Sequence, residues 1–338
     1  MRIKGILSER KIYHYWSFQI VYQWEDIISQ MCSWPVYYVT KFGMFFLRNI
    51  NKVWLFKKVF FYFNRLIPVK NYYLYHCMAF QKDDLKPDCL KNVIPVIIDY
   101  WLPDQYLKDF YSYFSSSTLV LITSREVYEH LIKNRCPIRI EHLPVSIPDT
   151  NISIDNIYPP KEFDFLFPGR RDPILYGYML EYEKKHPDVE YLYQELAGIN
   201  GINPYYVSNK KGRLSEDFFS REGYLSLLKK ARITFYATPG MDESKKANGF
   251  NQVTPRFLEM LSCGCLVMGR YPKNPDTDFY EMEKYCPSIK NQQEFEETLE
   301  LFFNEKWAKQ QISSYPAYLK KHSTSSSIQV LEDILQKM

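Results

Sequence analysis

Short apolar runs recur along the first 150 residues, and polar stretches with helical spacing separate several of them. The runs cover residues 35–39, 72–75, 94–98, 119–122 and 138–140. Continuous apolar runs of this length predict strands that are buried on both faces, as in a parallel sheet. Residues 124–133, which lie before the fifth run, predict a helix. Strands that alternate with helices indicate an α/β domain.

A second series of the same kind follows residue 161. Its apolar runs predict strands at 163–167, 189–193, 233–236 and 265–268. Its helical stretches are 174–184, 223–231, 255–263, 292–303, 305–320 and about 327–337. Pro, Ser, Asn and Asp punctuate the region between the two series, which is typical of a linker. We therefore predict an α/β domain over 1–150, a linker over 151–161 and a second α/β domain with terminal helices over 162–338.

Charge is distributed unevenly over this 338-residue chain, whose net charge is +4. Residues 1–150 carry 19 Lys and Arg against 13 Asp and Glu, whereas residues 151–338 carry 24 against 26. Such an asymmetry suggests a surface role for the first half. The excess is too small, and the chain too aromatic at 17%, to indicate nucleic-acid binding by itself.

The cysteines and the apolar pattern exclude several other classes of protein. There are seven cysteines, an odd number, and no Cys-x-x-Cys pair, so neither a structural zinc site nor a disulfide framework is expected. Reduced thiols fit a cytoplasmic protein. We expect no signal peptide after Met1 and no membrane span, because no charge-free apolar run approaches the roughly 18 residues that a span needs.

The segment 248–270 carries the strongest chemical signal. Thr254 is a typical N-cap residue and Pro255 suits the first position of a helix. Arg256 then falls in the first turn, where free backbone N–H groups and a cation together favour a bound anion such as a diphosphate. Gly264 ends the helix, and a buried strand follows it.

This segment resembles the donor-site helix of GT-B fold glycosyltransferases of the group-1 and CgeB-like families. The resemblance rests on the block Arg256-Phe257-x-Glu259 with Gly264 five positions later, followed by an apolar strand. It implies that Glu259 holds the ribose hydroxyls of a nucleotide donor. Many retaining members carry a second Glu eight residues earlier, where this chain has Asn251. An amide can hydrogen-bond a sugar hydroxyl but supplies no charge, so the stereochemical outcome stays open.

Other parts of the second half are similar to the same family over roughly residues 160–290. Gly169-Arg170-Arg171 follows an apolar strand and resembles the Gly-Arg turn whose arginine contacts the donor diphosphate. Fixed cations there would stabilise a departing nucleotide as it gains negative charge. Residues 233–240 resemble the strand and loop beside the donor sugar. The resemblance predicts this set of donor-binding residues: Gly169, Arg170, Lys246, Asn251, Thr254, Arg256 and Glu259.

The first half is expected to bind the acceptor, although it lacks the glycine-rich turn that is typical of this fold. An inverting enzyme needs a general base that faces the acceptor hydroxyl. His14, Asp26 and Asp99 are the candidates, and Asp99 lies at the end of a predicted strand, where α/β proteins place functional groups. A capping or salt-bridging role is the alternative for each of them.

Residues 41–70 contain seven Lys and Arg, no acid and many aromatic residues. Cations and aromatics at helical spacing suit an anionic membrane surface. The alternative is a helix that packs its aromatic residues into the domain. From this segment we expect a peripheral association with the inner membrane leaflet.

Taken together, the resemblance implies two Rossmann-like α/β domains that face a cleft, with C-terminal helices packing back toward the first domain. The implied activity is transfer of a sugar from a nucleotide-sugar donor to a glycan or lipid-linked acceptor, in bacterial surface polysaccharide synthesis. We expect the transfer to be metal-independent, with cationic groups in the role of a metal and no Asp-x-Asp triplet to hold one. No cofactor is expected, because the nucleotide-sugar is a substrate. Three alternatives stay open: a non-catalytic nucleotide- or sugar-binding protein that keeps the fold, a nucleotide-sugar epimerase, and a membrane-bound scaffold.

Overall fold

The computed structural model describes residues 2–42, 69–80, 91–152, 160–169, 171–197, 203–214, 218, 220–241 and 248–338. These residues form two compact units. Unit 1 takes the described residues of Met1–Pro148, Lys245–Gln252 and Thr324–Met338. Unit 2 takes those of Asp149–Ser244 and Val253–Ser323.

Unit 1 is built on a parallel sheet of six strands in the order β2-β1-β3-β4-β5-β6. The strands are β1 (Ile3–Ser8), β2 (Val36–Tyr38), β3 (Tyr72–Phe80), β4 (Val93–Tyr100), β5 (Val120–Ile122) and β6 (Ile140–His142). Residues 93–98 of β4 are all buried, as the continuous apolar run predicts for a strand covered on both faces.

The described helices of unit 1 are α1 (Gln19–Cys32), α2 (Leu107–Tyr113), α3 (Arg125–Lys133) and α12 (Thr324–Gln336). Helix α3 falls within the predicted range 124–133 and is capped by Ser124, whose hydroxyl accepts a hydrogen bond from the Val127 amide at 3.2 Å. The last helix of the chain packs against α1, so the C-terminus belongs to the first unit.

Unit 2 contains a mixed six-stranded sheet in the order β10-β9-β8-β7-β11-β12. The strands are β7 (Phe163–Phe167), β8 (Tyr191–Ala197), β9 (Asn203–Ser208), β10 (Gly212–Arg213), β11 (Ala231–Ala237) and β12 (Leu266–Arg270). The four strands β8, β7, β11 and β12 are parallel, and β9 and β10 extend the sheet in antiparallel fashion.

Eight described helices belong to unit 2. They are α4 (Pro173–Lys185), α5 (Arg221–Lys230), α6 (Pro255–Ser262), α7 (Pro275–Phe279), α8 (Met282–Tyr285), α9 (Gln292–Phe303), α10 (Glu305–Ser313) and α11 (Tyr315–Lys321). The predicted helix 305–320 is in fact two helices, because Pro316 lacks the N–H that a continuous helix requires and starts α11 instead. Within the described residues, no helix has both the length and the apolar character needed to cross a bilayer.

Candidate functional site

The best-formed polar site of unit 2 lies where β7 and β11 end. These strands are parallel neighbours, so their carboxyl ends meet at one edge of the sheet, where α/β folds bind ligands. After β7 the chain turns at Gly169, which has a φ of +82°. That conformation favours glycine, because a side chain there would strain the backbone.

Arg256, in the first turn of α6, lies against this turn. A β-carbon added to Gly169 would be 3.2 Å from one terminal nitrogen of Arg256 and 3.3 Å from its Cζ. Glycine therefore serves twice at this position, by adopting the positive φ and by leaving room for the guanidinium. The structure brings together these two residues of the predicted donor set.

A tyrosine anchors the start of helix α6. Thr254 is the N-cap residue, but its side chain makes no capping hydrogen bond. Instead, the Tyr236 phenol lies 3.3 Å from the Thr254 hydroxyl and accepts a hydrogen bond from the Thr254 amide at 2.9 Å. Burial raises the pKa of Tyr236 to about 12, although its bonds to Thr254 oppose the shift. The phenol thus stays protonated and positions the helix N-terminus.

Two further phenols surround the Arg256 guanidinium. Tyr206 of β9 is buried and hydrogen-bonded to the backbone at Gly169, and burial raises its pKa while the charge of Arg256 lowers it. Burial likewise raises the pKa of Tyr224 well above its usual value, and Arg256 again opposes the shift. Among the residues that the structure describes, no carboxylate forms a salt bridge with Arg256. Its positive charge is available to an anionic ligand.

Glu259 lies on the buried side of α6 and has a protein partner. Its carboxylate accepts a hydrogen bond from the Arg221 guanidinium of α5, and the two side chains are only 6% and 7% exposed. The ribose-binding role of Glu259 stays a prediction. A ligand could use this carboxylate only by sharing it with Arg221 or displacing Arg221.

A second ion pair connects the loop that follows β7 to Arg270, the last residue of β12. Asp172 caps α4 by accepting hydrogen bonds from the amides of Ile174 and Leu175. The same carboxylate binds Arg270 in a bidentate manner at 2.8–3.1 Å. Arg270 also donates to the carbonyl of Met241 at 3.0 Å. The pair therefore holds the two loops that border the site in a fixed geometry.

The other cations near the predicted Gly-Arg turn contribute less. Arg171 binds Glu195 at 2.9 Å and stacks on Tyr176 and Tyr193, which commits it to a local structural role. Arg170 and Lys246, both predicted donor-binding residues, lie outside the described residues.

Asn251 belongs to unit 1, whereas Thr254, Arg256 and Glu259 belong to unit 2. The backbone N–H of Asn251 donates a hydrogen bond to the Glu126 carboxylate of α3 at 2.7 Å, and the Asn251 side-chain amide donates one to the Gly249 carbonyl at 3.2 Å. The next residue, Gln252, bonds both backbone groups of Tyr100. The segment before α6 is thus held by the end of β4, a connection that no sequence pattern signals.

The three candidate bases occupy different environments in unit 1. His14 is exposed on the loop after β1. Asp26 is 59% exposed and binds Arg10 at 2.8 Å. Asp99 is partly buried near the end of β4, opposite Ala79 of β3. Which of them acts as a base stays a prediction.

Glu25, beside Asp26 on α1, is a buried carboxylate, as is Glu9 on the loop after β1. It accepts a hydrogen bond from the Ser8 hydroxyl at 2.6 Å, and His76 Nδ1 lies 3.8 Å away. Burial raises the pKa of Glu25 to about 7 despite the opposing effects of Ser8 and Arg10. Burial also lowers the pKa of His76 to about 4. Neither shift could be read from the sequence, because both come from packing between distant segments.

The expectation that the chain has no Asp-x-Asp triplet is wrong, because Asp276-Thr277-Asp278 is such a triplet, and its spacing can hold a metal ion. Its two carboxylates differ in environment: Asp276 is fully buried and accepts from the Val253 amide at 3.3 Å, whereas Asp278 is 60% exposed and lies 4.0 Å from Lys273. Across the described ranges, no group of three or more His, Cys, Asp or Glu side chains is arranged to hold a metal ion. Metal independence stays a prediction.

Most of the cationic segment 41–70 lies outside the described residues, which resume at 69. Of its described part, Phe42 is 78% exposed. The membrane association predicted from this segment therefore stays a prediction.

Comparison with known proteins finds similarity of structure only, since no family model and no curated protein matches the sequence. The chain resembles a UDP-forming α,α-trehalose-phosphate synthase from Burkholderia vietnamiensis (TM-score 0.55, 9% identity, 95% of this chain and 87% of that one). It also resembles the trehalose-6-phosphate synthase OtsA (TM-score 0.54, 10% identity), and the alignment covers 84% of this chain and 77% of that one. A third neighbour is the GtfA/B complex (TM-score 0.50, 10% identity). The alignment covers 83% of this chain but only 60% of that neighbour's chain. The neighbours are two-domain GT-B glycosyltransferases, and this chain has the same fold.

Proposed function

We propose that this protein is a glycosyltransferase that moves a sugar from a nucleotide-sugar donor to a glycan or lipid-linked acceptor. One observation carries the proposal: the Arg256 guanidinium lies on the Gly169 turn, at the N-terminus of α6, and forms no salt bridge with any described carboxylate. A helix N-terminus with an adjacent arginine is suited to a diphosphate. The GT-B fold makes a nucleotide-linked diphosphate the natural ligand, as an argument from fold analogy.

The proposed chemistry is electrostatic. Cleavage of the bond between sugar and diphosphate leaves negative charge on the departing nucleotide. The Arg256 guanidinium and the positive end of the α6 dipole lie together at the turn after β7, where both would stabilise such a charge. The buried phenols of Tyr206, Tyr224 and Tyr236 lie within electrostatic reach of Arg256, whose charge lowers the pKa of each. Cationic groups therefore take the role that a metal has elsewhere.

The acceptor side of the proposal rests on unit 1. His14, Asp26 and Asp99 are the candidate bases, and residues 41–70 are the proposed contact with an anionic membrane surface in the cytoplasm. Assignment to the group-1 or CgeB-like families, and a place in bacterial surface polysaccharide synthesis, belong to the same proposal. They follow only from the resemblance over roughly residues 160–290.

A thermal-shift screen with UDP, GDP, ADP, CDP and dTDP, with and without EDTA, tests the donor site. A ligand at 100 times its dissociation constant adds about 2.7 kcal/mol to the free energy of unfolding. We expect one nucleotide to raise the melting temperature of wild type. Arg213→Gln is the control, because it removes an exposed cation of β10, and it should show the same rise. Arg256→Gln should lose the shift. No shift in wild type with any nucleotide would refute the donor site.

A non-catalytic nucleotide-binding protein is the second candidate, and the Arg221–Glu259 pair favours it. If Glu259 remains bound to Arg221, the ribose contact expected of an active enzyme is missing. Release of free sugar or of the free nucleotide from the matching nucleotide-sugar separates the two functions. A transferase hydrolyses its donor slowly above the buffer background, whereas a binding protein leaves it intact.

A further inference from the structure

Four aromatic side chains form a partly exposed cluster on the loop and helix that follow β1. The ring centroids of Tyr13, Tyr15 and Phe18 lie 5.5–6.3 Å apart, with interplanar angles of 23–42°. The Tyr22 ring continues the cluster, 6.2 Å from Phe18. Tyr15 is 65% exposed and the other three are partly buried. We call these four residues the aromatic platform.

Contacts behind the platform fix its shape. The Tyr22 hydroxyl donates a hydrogen bond to the Tyr13 carbonyl at 2.7 Å. Arg10 donates to the Tyr22 carbonyl at 2.7 Å, and its guanidinium lies 5.1 Å from the centre of the Tyr22 ring. A ligand would therefore meet rings that are already ordered, and little conformational entropy would be lost on binding.

The platform lies at the functional edge of the unit 1 sheet. Its loop begins directly after Ser8, the last residue of β1, and β1 lies between β2 and β3 in a fully parallel sheet. Ligands of open α/β sheets bind beyond the carboxyl ends of the strands. A partly exposed aromatic cluster at that edge, with Tyr15 65% exposed, is suited to a ligand that has an apolar face.

Acidic side chains balance the arginine beside the platform, so the platform favours a neutral ligand over a charged one. Arg10 is 2.8 Å from Asp26 and 3.6 Å from Glu25. Lys11 lies over the Tyr38 ring at 4.3 Å. The platform thus offers little net field to a polyanion or an anionic bilayer, in contrast to segment 41–70 with its seven cations and no acid. Exposed His14 and Ser17 supply hydrogen-bonding groups beside the rings.

We propose that the aromatic platform binds a neutral oligosaccharide. The apolar C–H faces of two adjacent sugar rings would lie on Tyr15 and Phe18, and hydroxyl groups at their edges would reach His14 and Ser17. A neutral oligosaccharide is a glycan, so this inference names the acceptor surface of the proposed transfer and rests on that proposal for its role. Binding itself needs only unit 1 and no nucleotide, so it can be tested separately.

Saturation-transfer NMR and calorimetry on the full chain test the proposal, with maltohexaose, cellohexaose and N-acetylchitohexaose as neutral probes. At least one probe should receive saturation on its ring protons in wild type. Tyr15→Ala should weaken that binding about tenfold, the loss of about 1.4 kcal/mol of stacking. Phe279→Ala removes an exposed aromatic of unit 2, outside the platform and outside segment 41–70, and should leave the affinity unchanged. The nucleotide-induced thermal shift should be the same in all three proteins.

Two results would overturn the proposal. One is that no probe binds to wild type, or that Tyr15→Ala binds as tightly as wild type. The other is that the platform residues are needed for binding to vesicles of phosphatidylcholine and phosphatidylglycerol while no oligosaccharide binds, which would identify a bilayer contact. Oligosaccharide binding without any nucleotide binding would leave the platform standing and refute only the transferase proposal.

Discussion

The guanidinium of Arg256 packs directly on the backbone of Gly169, so closely that a single added methyl group would lie 3.2 Å from it. The contact joins the turn after β7 to the first turn of α6. Because Gly169 also has a positive φ, the two effects of a side chain at this position can be separated by experiment.

Gly169→Ala should destabilise the protein and also weaken nucleotide binding. Strain at the positive φ costs about 1 kcal/mol, and the new methyl group displaces the guanidinium from its place on the turn. Gly212→Ala is the matched control, since Gly212 has a φ of +71° but nothing within 4 Å of an added β-carbon. Urea denaturation should show a lower free energy of unfolding for both variants, whereas calorimetry should show weaker nucleotide binding only for Gly169→Ala.

Tyr206→Phe should weaken nucleotide binding while the fold is retained. The change removes the hydrogen bond between the buried phenol and the Gly169 backbone but keeps the ring. A net hydrogen bond is worth about 1 kcal/mol, or about fivefold in affinity. Tyr205→Phe is the control. It keeps the aromatic ring over which Arg213 lies, and Tyr205 is the strand neighbour of Tyr206, so its side chain points to the opposite face of the sheet. Equal affinities of the two variants for the nucleotide would contradict the assigned role of Tyr206.

Glu259→Gln should lower the free energy of unfolding by about 3 kcal/mol, because it leaves the Arg221 charge buried without its partner. Arg221→Met combined with Glu259→Met should recover part of that loss, since an apolar pair of similar volume needs no compensation. Equilibrium urea denaturation measures both. If the single variant is as stable as wild type, the buried ion pair described here is wrong.

The sequence pattern predicts some elements of the fold accurately and does not reveal others. It gives the observed limits of β7 and α9, and it places both ends of β4, β11 and β12 within two residues. Strand β1 was missed because Gly5 and Lys4 interrupt its pattern. Its glycine allows the Pro35 carbonyl to approach, a contact between distant segments that no local pattern records. The antiparallel strands β9 and β10 were missed as well.

The same distinction holds for the site. Gly169, Thr254 and Arg256 follow local rules of turns and helix starts, so the sequence singled them out. Tyr206 lies on a missed strand, and Arg221 is an ordinary helix residue until α5 and α6 pack together. Their roles come from tertiary contacts. For the same reason, the sequence favoured Asp26 as a functional carboxylate, although Glu25 is the buried one.

Glu25 should make stability depend on pH in a definite direction. Its pKa is raised from 4.5 in the unfolded chain to about 7, so its contribution favours folding below pH 4.5 and is lost as the pH rises through 7. His76, His142 and His322, whose pKa values burial lowers to about 4, contribute in the opposite direction: their stability is present above pH 6.5 and is lost as the pH falls toward 4.

Glu25→Gln isolates the carboxylate from the histidines. The stability of the variant relative to wild type should increase by about 3 kcal/mol between pH 4.5 and pH 8, because the amide needs no deprotonation. Urea denaturation at a series of pH values gives both curves, and parallel curves for wild type and Glu25→Gln would contradict the buried carboxylate.

The most direct test of the central claim is isothermal titration calorimetry of the nucleoside diphosphate chosen by the thermal-shift screen, compared with its parent nucleoside. Arg256 should act on the diphosphate, so Arg256→Gln should reduce diphosphate affinity at least tenfold, as expected for a charge-assisted contact of about 1.5–3 kcal/mol. The nucleoside itself should bind wild type and variant equally. If wild type and Arg256→Gln bind the diphosphate with the same affinity, Arg256 and the Gly169 turn do not form the donor site.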